Sequence, residues 1–179
     1  MSATVFRNDG LGKAINVFVG PTIHRVDREH LHETGAELKP DIIRKYTDFT
    51  VAARTEYSTV IRMMVRDGRR NGQIIGAVMD DLRKYKSPVL IVSDRVDHCE
   101  FLAHELKNQG VKVALLLSKT SNKERKKAVQ DMRDGKKKVL IATVALVGEG
   151  FDAPNLHALF LTTPIKLSLI HISEPTRPY

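Results

Sequence analysis

The sequence predicts an α/β fold built on a mostly parallel sheet. Short apolar runs of strand length alternate with longer segments whose apolar residues recur every three or four positions, which is the spacing of an amphipathic helix. Helices of this length between strands imply right-handed βαβ crossovers, which leave the strands parallel. The four apolar runs are residues 89–92, 111–117, 139–142 and 158–161.

The first part of the predicted lobe contributes one strand and two helices. Pro40 precedes a mixed apolar and polar run at residues 42–49, which we interpret as the first strand of the sheet. Residues 56–67 and 69–84 are predicted to be helices. The second helix carries one apolar stripe made of Ile74, Ile75, Val78, Met79 and Leu82.

Two further helices are predicted between the later strands, and each has clear end signals. A helix over residues 97–108 is closed by Gly110. Ser121 and Glu124 have the spacing of a capping box, which opens a helix that runs to residue 134 and stops at Gly135. The side chains predicted to face the sheet are Cys99, Leu102, Ala103, Leu106, Ala128, Val129 and Met132.

Composition limits the class of protein. The 179 residues include 42% apolar side chains, which is compatible with a hydrophobic core. There are 29 Lys and Arg against 21 Asp and Glu, and the resulting net charge of +8 favours a polyanionic partner. The single cysteine, Cys99, excludes an internal disulfide and fits a reducing compartment. No run resembles a signal peptide or the ~18 apolar residues of a membrane span, so we expect a cytoplasmic location without a membrane partner.

Two apparent site motifs are interpreted as structural. His24, His30 and His32 lack the cysteine partners and the repeated spacing of metal ligands, so no metal is expected there. Residues 10–13, GLGK, lack the first glycine and the hydroxyl residue of the phosphate-binding pattern G-x-x-x-x-G-K-[ST]. We interpret them as a turn that leads into a short helix.

The most informative stretch is residues 138–164, KVLIATVALVGEGFDAPNLHALFLTTP. A strand-like run ends at Thr143, and turn-forming residues follow before the next apolar run. In a parallel sheet, groups that contact ligands collect just past the carboxyl ends of the strands. Thr143 and the residues up to Asp152 occupy that position.

The segment ATVALVGEGFDAP resembles motif V of superfamily 2 helicases, in the branch that includes the DEAD/DEAH-box and restriction-type ATPases. The threonine, the EG-x-D group and the following proline fall in the order of that motif. The resemblance implies a RecA-like lobe of the P-loop NTPase type, with three layers and incomplete here, that shares ATP with a first lobe and grips nucleic acid. It also implies that Thr143 contacts the nucleic-acid backbone and that Glu149, Gly150 and Asp152 line the ATP cleft.

The two ends of the chain are interpreted in the same frame. Ser2, Ala3 and Thr4, with RNDG at residues 7–10, are similar to motif III of the superfamily, although Val5 stands where proline is common. The resemblance implies that they couple ATP hydrolysis to strand movement. Three divisions are therefore expected: residues 1–40 as the motif III exit segment and interlobe connector, 41–166 as the incomplete C-terminal RecA-like lobe, and 167–179 as an artefactual tail. The tail expectation rests on LSLIHISEPTR, which resembles a translated sequencing adapter.

Polar residues after the other predicted strands are the further candidate contacts. Ser93 and Arg95 follow one strand and Ser118 and Lys119 follow the next, so with Thr143 they would share one edge of a parallel sheet. Hydroxyls, backbone N–H groups and cations suit phosphate oxygens, and such contacts hold a strand without reading its sequence. For Ser118 a simple capping role is an equal alternative.

We therefore expect part of an ATP-dependent helicase or translocase, acting on DNA rather than RNA. By resemblance the full-length protein would use ATP and Mg²⁺ and would include an N-terminal RecA-like lobe. No Walker A lysine is present, so we expect no catalytic residue here and no ATP hydrolysis by this chain alone. Two alternatives stay open: a nucleic-acid-binding doubly wound module without a motor, and a Rossmann-like small-molecule enzyme. Against the latter, no G-x-G-x-x-G follows any predicted strand.

Overall fold

The computed structural model describes residues 17–18, 20, 40–147 and 156–164. The chain forms two compact units, Met1–Pro40 and Asp41–Tyr179, and the elements below belong to the second. The domain assignments made from the sequence stay predictions. In chain order, the elements are α1 (Tyr57–Arg66), α2 (Gly68–Tyr85), β1 (Val89–Ser93), α3 (Val96–Asn108), β2 (Val113–Leu116), α4 (Asn122–Arg133), β3 (Val139–Thr143), α5 (Val144–Val147) and β4 (Ala158–Leu161).

The four strands form one parallel sheet in the order β2-β3-β1-β4, which confirms the predicted fold class. In the ladder between β1 and β3, Val89 pairs with Val139 and Ser93 pairs with Thr143. Val113 of β2 also pairs with Val139. The strands therefore start at one edge of the sheet and finish at the other, and we call these the amino edge and the carboxyl edge.

Side chains alternate along each strand and build a core on both faces of the sheet. Ile91 and Ile141 pack with residues of α2 and α3, whereas Leu90 and Leu140 pack with residues of α4 and α5. From β1 the chain passes the position of β3 to reach β2 at the edge of the sheet. From β2 it then runs back across the sheet in the opposite direction to form β3. Because parallel crossovers are right-handed, this reversal places α3 and α4 on opposite faces. The result is the expected three-layer arrangement.

Cys99 belongs to the core beneath β3. Its Sγ atom lies 3.7 Å from the carbonyl oxygen of Ala142, and its side chain is fully buried. Burial, the largest effect, raises the pKa of the thiol to about 12, so the group is protonated at neutral pH.

The predicted strand at residues 42–49 is wrong. Residues 40–52 carry no strand, and β1 is the first strand of the sheet in chain order. Ile42 and Ile43 are 69% and 77% exposed, so they have no sheet or helix to pack against. Strand propensity is realised only when a neighbouring strand supplies hydrogen bonds and cross-strand contacts, and a local sequence pattern does not reveal that neighbour.

The predicted helix ends agree with the structure to within one residue. Gly110 and Gly135 adopt φ values of +80° and +69° just past α3 and α4, a conformation in which glycine is favoured. The short helix α5 was not predicted, because four residues are too few to show a periodic pattern. None of the helices in the described ranges is both long and apolar enough to cross a membrane.

The capping box of α4 yields the first prediction. Ser121 Oγ accepts from the backbone N–H of Glu124 at 3.3 Å, and the Glu124 carboxylate accepts from the backbone N–H of Ser121 at 3.0 Å. Replacing Ser121 by Ala should lower the free energy of unfolding by about 1 kcal/mol, because a helix donor loses its partner. Urea denaturation followed by circular dichroism would measure it.

Ser118→Ala is the matched control for that substitution. Ser118 is exposed, and no hydrogen bond of its side chain is present among the described residues. Its replacement should change the free energy of unfolding by less than about 0.5 kcal/mol. Equal effects of the two substitutions would contradict the assignment of Ser121 as the cap.

Candidate functional site at the carboxyl edge

The topology collects the predicted contact residues at the carboxyl edge. Ser93 and Thr143 end neighbouring strands and pair in register. Ser118 and Lys119 lie just after β2, which runs beside β3 in the same direction. Arg95 begins the turn into α3. The structure thus brings the strand ends together, while the nucleic-acid roles of these residues stay predictions.

Ser93 lies inside the edge rather than on its surface. Its side chain is fully buried, and its Oγ atom is 2.9 Å from Nδ1 of His98. The same oxygen accepts from the backbone N–H of Arg95 at 3.3 Å. The hydroxyl therefore fixes the first turn after β1, and its hydrogen-bonding capacity is already used within the protein.

A buried polar chain continues from Ser93 across α3 to α2. His98 Nε2 lies 3.0 Å from Oδ1 of Asn71, and Asn71 Nδ2 donates to the carbonyl of Val65 at 2.8 Å. Because the Asn71 amide nitrogen is used on Val65, its oxygen faces His98, and Nε2 of His98 must carry the proton. Nδ1 then accepts from the Ser93 hydroxyl. Each of the three hydrogen bonds from Ser93 to Val65 thus has one donor and one acceptor, as buried polar groups require.

His98 is neutral in this setting. Its pKa is lowered to about 4, first by desolvation and then by the nearby charge of Arg70, with a smaller opposing effect of Asp97. His98 was not predicted from the sequence as part of this site. The only indication in the sequence was its position next to Cys99, on the side of α3 that is predicted to face the sheet. A histidine at that position is expected to be buried.

Thr143 differs from Ser93 although the two are paired. Its side chain is 7% exposed, and its hydroxyl has no hydrogen-bond partner among the described residues. An unsatisfied buried hydroxyl costs about 1–3 kcal/mol. The Thr143 hydroxyl therefore has unused hydrogen-bonding capacity at this edge, although its oxygen atom is itself buried, whereas the proton of the Ser93 hydroxyl is committed to His98.

Two cationic side chains flank the strand ends. Lys119 is 79% exposed and lies 3.9 Å from a carboxylate oxygen of Glu100, so its ammonium group is held only loosely. Arg95 is partly buried, and its Nε atom has no partner within the described ranges. Ser118 is exposed beside Lys119. These three residues can present charge and a hydroxyl to a bound phosphate.

A second set of contacts ties α2 and β4 to the same edge. Arg70 Nη2 donates to the carbonyl of Thr162, just past β4. The Thr162 hydroxyl donates to the carbonyl of Val92 at 2.8 Å, and the backbone N–H of Asp94 donates to Oγ1 of Thr163 at 2.8 Å. Burial lowers the pKa of Arg70, and Asp67 partly offsets this. The site also contains three residues that were not predicted from the sequence: Arg70, Thr162 and Thr163.

The remaining predicted site residues lie outside the described residues. These are Ser2, Ala3 and Thr4 of the proposed coupling motif, and Glu149, Gly150 and Asp152 of the proposed ATP cleft. Within the described ranges, no group of three or more His, Cys, Asp or Glu side chains could hold a metal ion.

Comparison with known proteins adds an independent line of evidence. The family described as helicase conserved C-terminal domain matches residues 72–169, more than half of the chain. A protein of Sulfolobus islandicus filamentous virus (isolate Iceland/Hveragerdi), named "Putative helicase 22", is 32% identical over 110 residues, which cover 62% of this chain and 19% of that protein. This chain therefore spans about a fifth of the length of that relative.

Two solved helicase-fold structures are similar to the sheet and its helices. The crystal structure of T4 UvsW gives a TM-score of 0.58 at 19% identity, over 67% of this chain and 24% of that one. The Pyrococcus furiosus Hef helicase domain gives 0.50 at 19% identity, over 60% of this chain and 23% of that one. At these identities the likeness concerns the fold, and it confirms the RecA-like arrangement predicted from the sequence.

The buried His98 predicts a pH dependence of stability. Its pKa is near 6.5 in an unfolded chain and about 4 in the folded one, so below pH 6.5 the unfolded state takes up a proton that the folded state does not. The free energy of unfolding should therefore fall as the pH falls, by about 1 kcal/mol between pH 7.5 and 5.5. Urea midpoints across this range would measure the loss.

His98→Gln and His104→Gln form the matched pair for this test. His104 is exposed on the same helix, so its replacement should leave the pH response unchanged. His98→Gln should be less stable at pH 7.5 but should respond less to pH, because the titrating group is gone. An unchanged response in His98→Gln would contradict the neutral, buried assignment.

Proposed function

Because this chain belongs to the helicase conserved C-terminal domain family and is a C-terminal RecA-like lobe of superfamily 2, we propose that it serves an ATP-dependent helicase or translocase that acts on DNA. Its part is to hold one nucleic-acid strand at the carboxyl edge and to form one wall of an ATP cleft. The other wall would come from an N-terminal RecA-like lobe.

The convergence of strand ends is the observation that carries this proposal. Thr143, whose hydroxyl has no partner in the described part of the chain, ends β3 beside Ser93, and Arg95 and Lys119 add positive charge nearby. Contacts of hydroxyls and cations to phosphates fix position and carry no sequence information. A motor that moves along any sequence needs contacts of this kind.

Ser93 has an indirect role in this proposal. Because its hydroxyl binds His98 and accepts from the Arg95 backbone, it holds the turn that presents Arg95. Ser93 is thus a positioning residue for the strand-binding edge. Direct contact with nucleic acid is assigned to Arg95, Ser118, Lys119 and Thr143.

The ATP assignment rests on the resemblance of residues 142–154 to motif V. The carboxylate of Asp152 suits the hydroxyls of a ribose, as in dinucleotide folds, and Gly150 suits a close approach. Glu149, Gly150 and Asp152 supply no lysine for the phosphates and no hydroxyl for Mg²⁺, so they fit only the sugar side of a nucleotide. The phosphate and Mg²⁺ sites are therefore assigned to the other lobe, and Ser2, Ala3 and Thr4 to coupling between the lobes.

The cellular location proposed is the cytosol. Cys99 is the one cysteine of the chain, and it is a buried free thiol. A protein without disulfides has no need of an oxidising compartment.

Strand binding can be tested at two cations of the edge. Arg95→Gln and Lys119→Gln should each weaken binding of single-stranded DNA by about fivefold, equivalent to about 1 kcal/mol. Each should also reduce the slope of log affinity against log salt by about 0.7, the value for one phosphate contact to a single strand. Fluorescence anisotropy with labelled DNA, and with RNA of the same sequence, would measure both quantities.

Lys126→Gln is the matched control, because Lys126 is exposed in the middle of α4 and not in a turn that follows a strand. It should leave the salt slope unchanged. Equal losses in all three variants would contradict a strand site at the carboxyl edge. Tighter binding of RNA than of DNA would contradict the assignment to DNA.

The same proposal predicts that this chain alone does not hydrolyse ATP. The pattern G-x-x-x-x-G-K-[ST] occurs nowhere in the 179 residues, and phosphoryl transfer depends on that phosphate-binding loop. Phosphate release with saturating DNA should equal that of the protein-free control in a coupled assay. Turnover that is present in the native chain and lost in Thr143→Ala would contradict the prediction and exclude a contaminating enzyme.

A further inference from the structure

Five lysines collect at the amino edge of the sheet, on the side away from the candidate site. They come from the segments that lead into β1, β2 and β3, which are neighbours in the sheet. Three of them are exposed and two are half-buried. We call them the amino-edge lysines: Lys86, Lys112, Lys136, Lys137 and Lys138.

Hydrogen bonds hold these residues side by side. The backbone N–H of Lys138 donates to the carbonyl of Lys112 at 2.9 Å, and the Lys138 ammonium donates to the carbonyl of Lys86 at 3.1 Å. The Lys137 ammonium donates to the carbonyl of Val113 at 3.3 Å. The grouping is thus a consequence of strand register and not of chance side-chain positions.

The amino edge carries most of the chain's net charge. Residues 83–86, 105–112 and 130–138 contain nine Lys and Arg and three Asp and Glu, a net of +6 out of the total of +8. By contrast, residues 66–70, 93–97 and 117–121 at the carboxyl edge contain five Lys and Arg and three Asp and Glu, a net of +2. The basic character that suggests a polyanionic partner is therefore concentrated away from the predicted strand-binding edge.

Stabilisation of helix ends explains only part of this cluster. Helices α2, α3 and α4 all finish at the amino edge, and cations near carboxyl-terminal carbonyls are favourable. The ammonium groups of Lys137 and Lys138 are bound to carbonyls, and Lys136 pairs with Asp134 at 2.8 Å. Lys86 and Lys112 are exposed and pair with no carboxylate in the described part of the chain.

We propose that the amino-edge lysines bind the sugar–phosphate backbone of a second nucleic-acid segment, separate from the strand held at the carboxyl edge. Strands of four or five residues rise about 15 Å between the two edges, at roughly 3.3 Å per residue, so one short contact does not cover both. Lysines are point charges on flexible stems, which suits phosphates in any local geometry. The contact is electrostatic and independent of base sequence.

Lysine acetylation of the unmodified 179-residue chain tests this contact directly. The probe is a DNA hairpin with a single-stranded tail, added at saturation, and the modified lysines are identified by mass spectrometry. Lys86, Lys112 and Lys136 should lose reactivity when the probe is bound. Lys126 and Lys127, exposed in the middle of α4, should keep it.

The reactivity of Lys119 distinguishes the second contact from the strand-binding site proposed at the carboxyl edge. Protection of Lys119 with unchanged reactivity at the amino edge would overturn the second contact and leave the strand-binding edge in place. Protection at the amino edge without protection of Lys119 would support the second contact and count against the carboxyl-edge site.

A pair of charge-matched double variants supplies the second measurement. Replacing Lys86 and Lys112 by Gln should reduce the slope of log affinity against log salt by about 1.5, since each phosphate contact contributes about 0.7–0.9. Replacing Lys126 and Lys127 by Gln removes the same charge and should change the slope by clearly less. Equal changes would assign the effect to net charge and overturn the proposal.

Discussion

The parallel ladder between β1 and β3 is the interaction on which the structure depends. Both strands are buried on both faces, so a slip of one residue would turn Ile91 and Ile141 from one helical layer to the other. The observed register sets both edges at once. It brings Ser93 beside Thr143 at one end and Lys138 beside Val89 and the carbonyl of Lys86 at the other.

The buried polar chain of Ser93, His98 and Asn71 holds the carboxyl edge in one arrangement. Ser93, His98 and Asn71 link the end of β1 to the carbonyl of Val65 at the end of α1, so four elements (β1, α3, α2 and α1) share one set of hydrogen bonds. All of these groups are paired, and such a network favours a single arrangement. Thr143 lies next to it, and its buried hydroxyl has no partner among residues 40–147 and 156–164, so the two paired strand ends differ in that one hydroxyl is used within the protein and the other is not.

Much of this architecture was accessible from the sequence, because buried parallel strands and amphipathic helices leave strong periodic patterns. The segment at residues 42–49 was misassigned because a strand also needs a neighbour, and its isoleucines are exposed. The roles of His98 and Arg70 were not accessible for a related reason. Their partners, Asn71 and the carbonyl of Thr162, lie 27 and 92 residues away and meet them only when the layers pack. The sequence could indicate which strand ends would gather, but not which hydroxyls would turn inward.

The buried thiol of Cys99 has a consequence for how motion in this lobe can be observed. Only a thiolate attacks an alkylating reagent, and the packing of α3 on the sheet both excludes the reagent and keeps the sulfur protonated. Alkylation therefore requires α3 to separate from β3. Because the chain has no other sulfhydryl group, the rate of its modification under native conditions reports how often this layer opens.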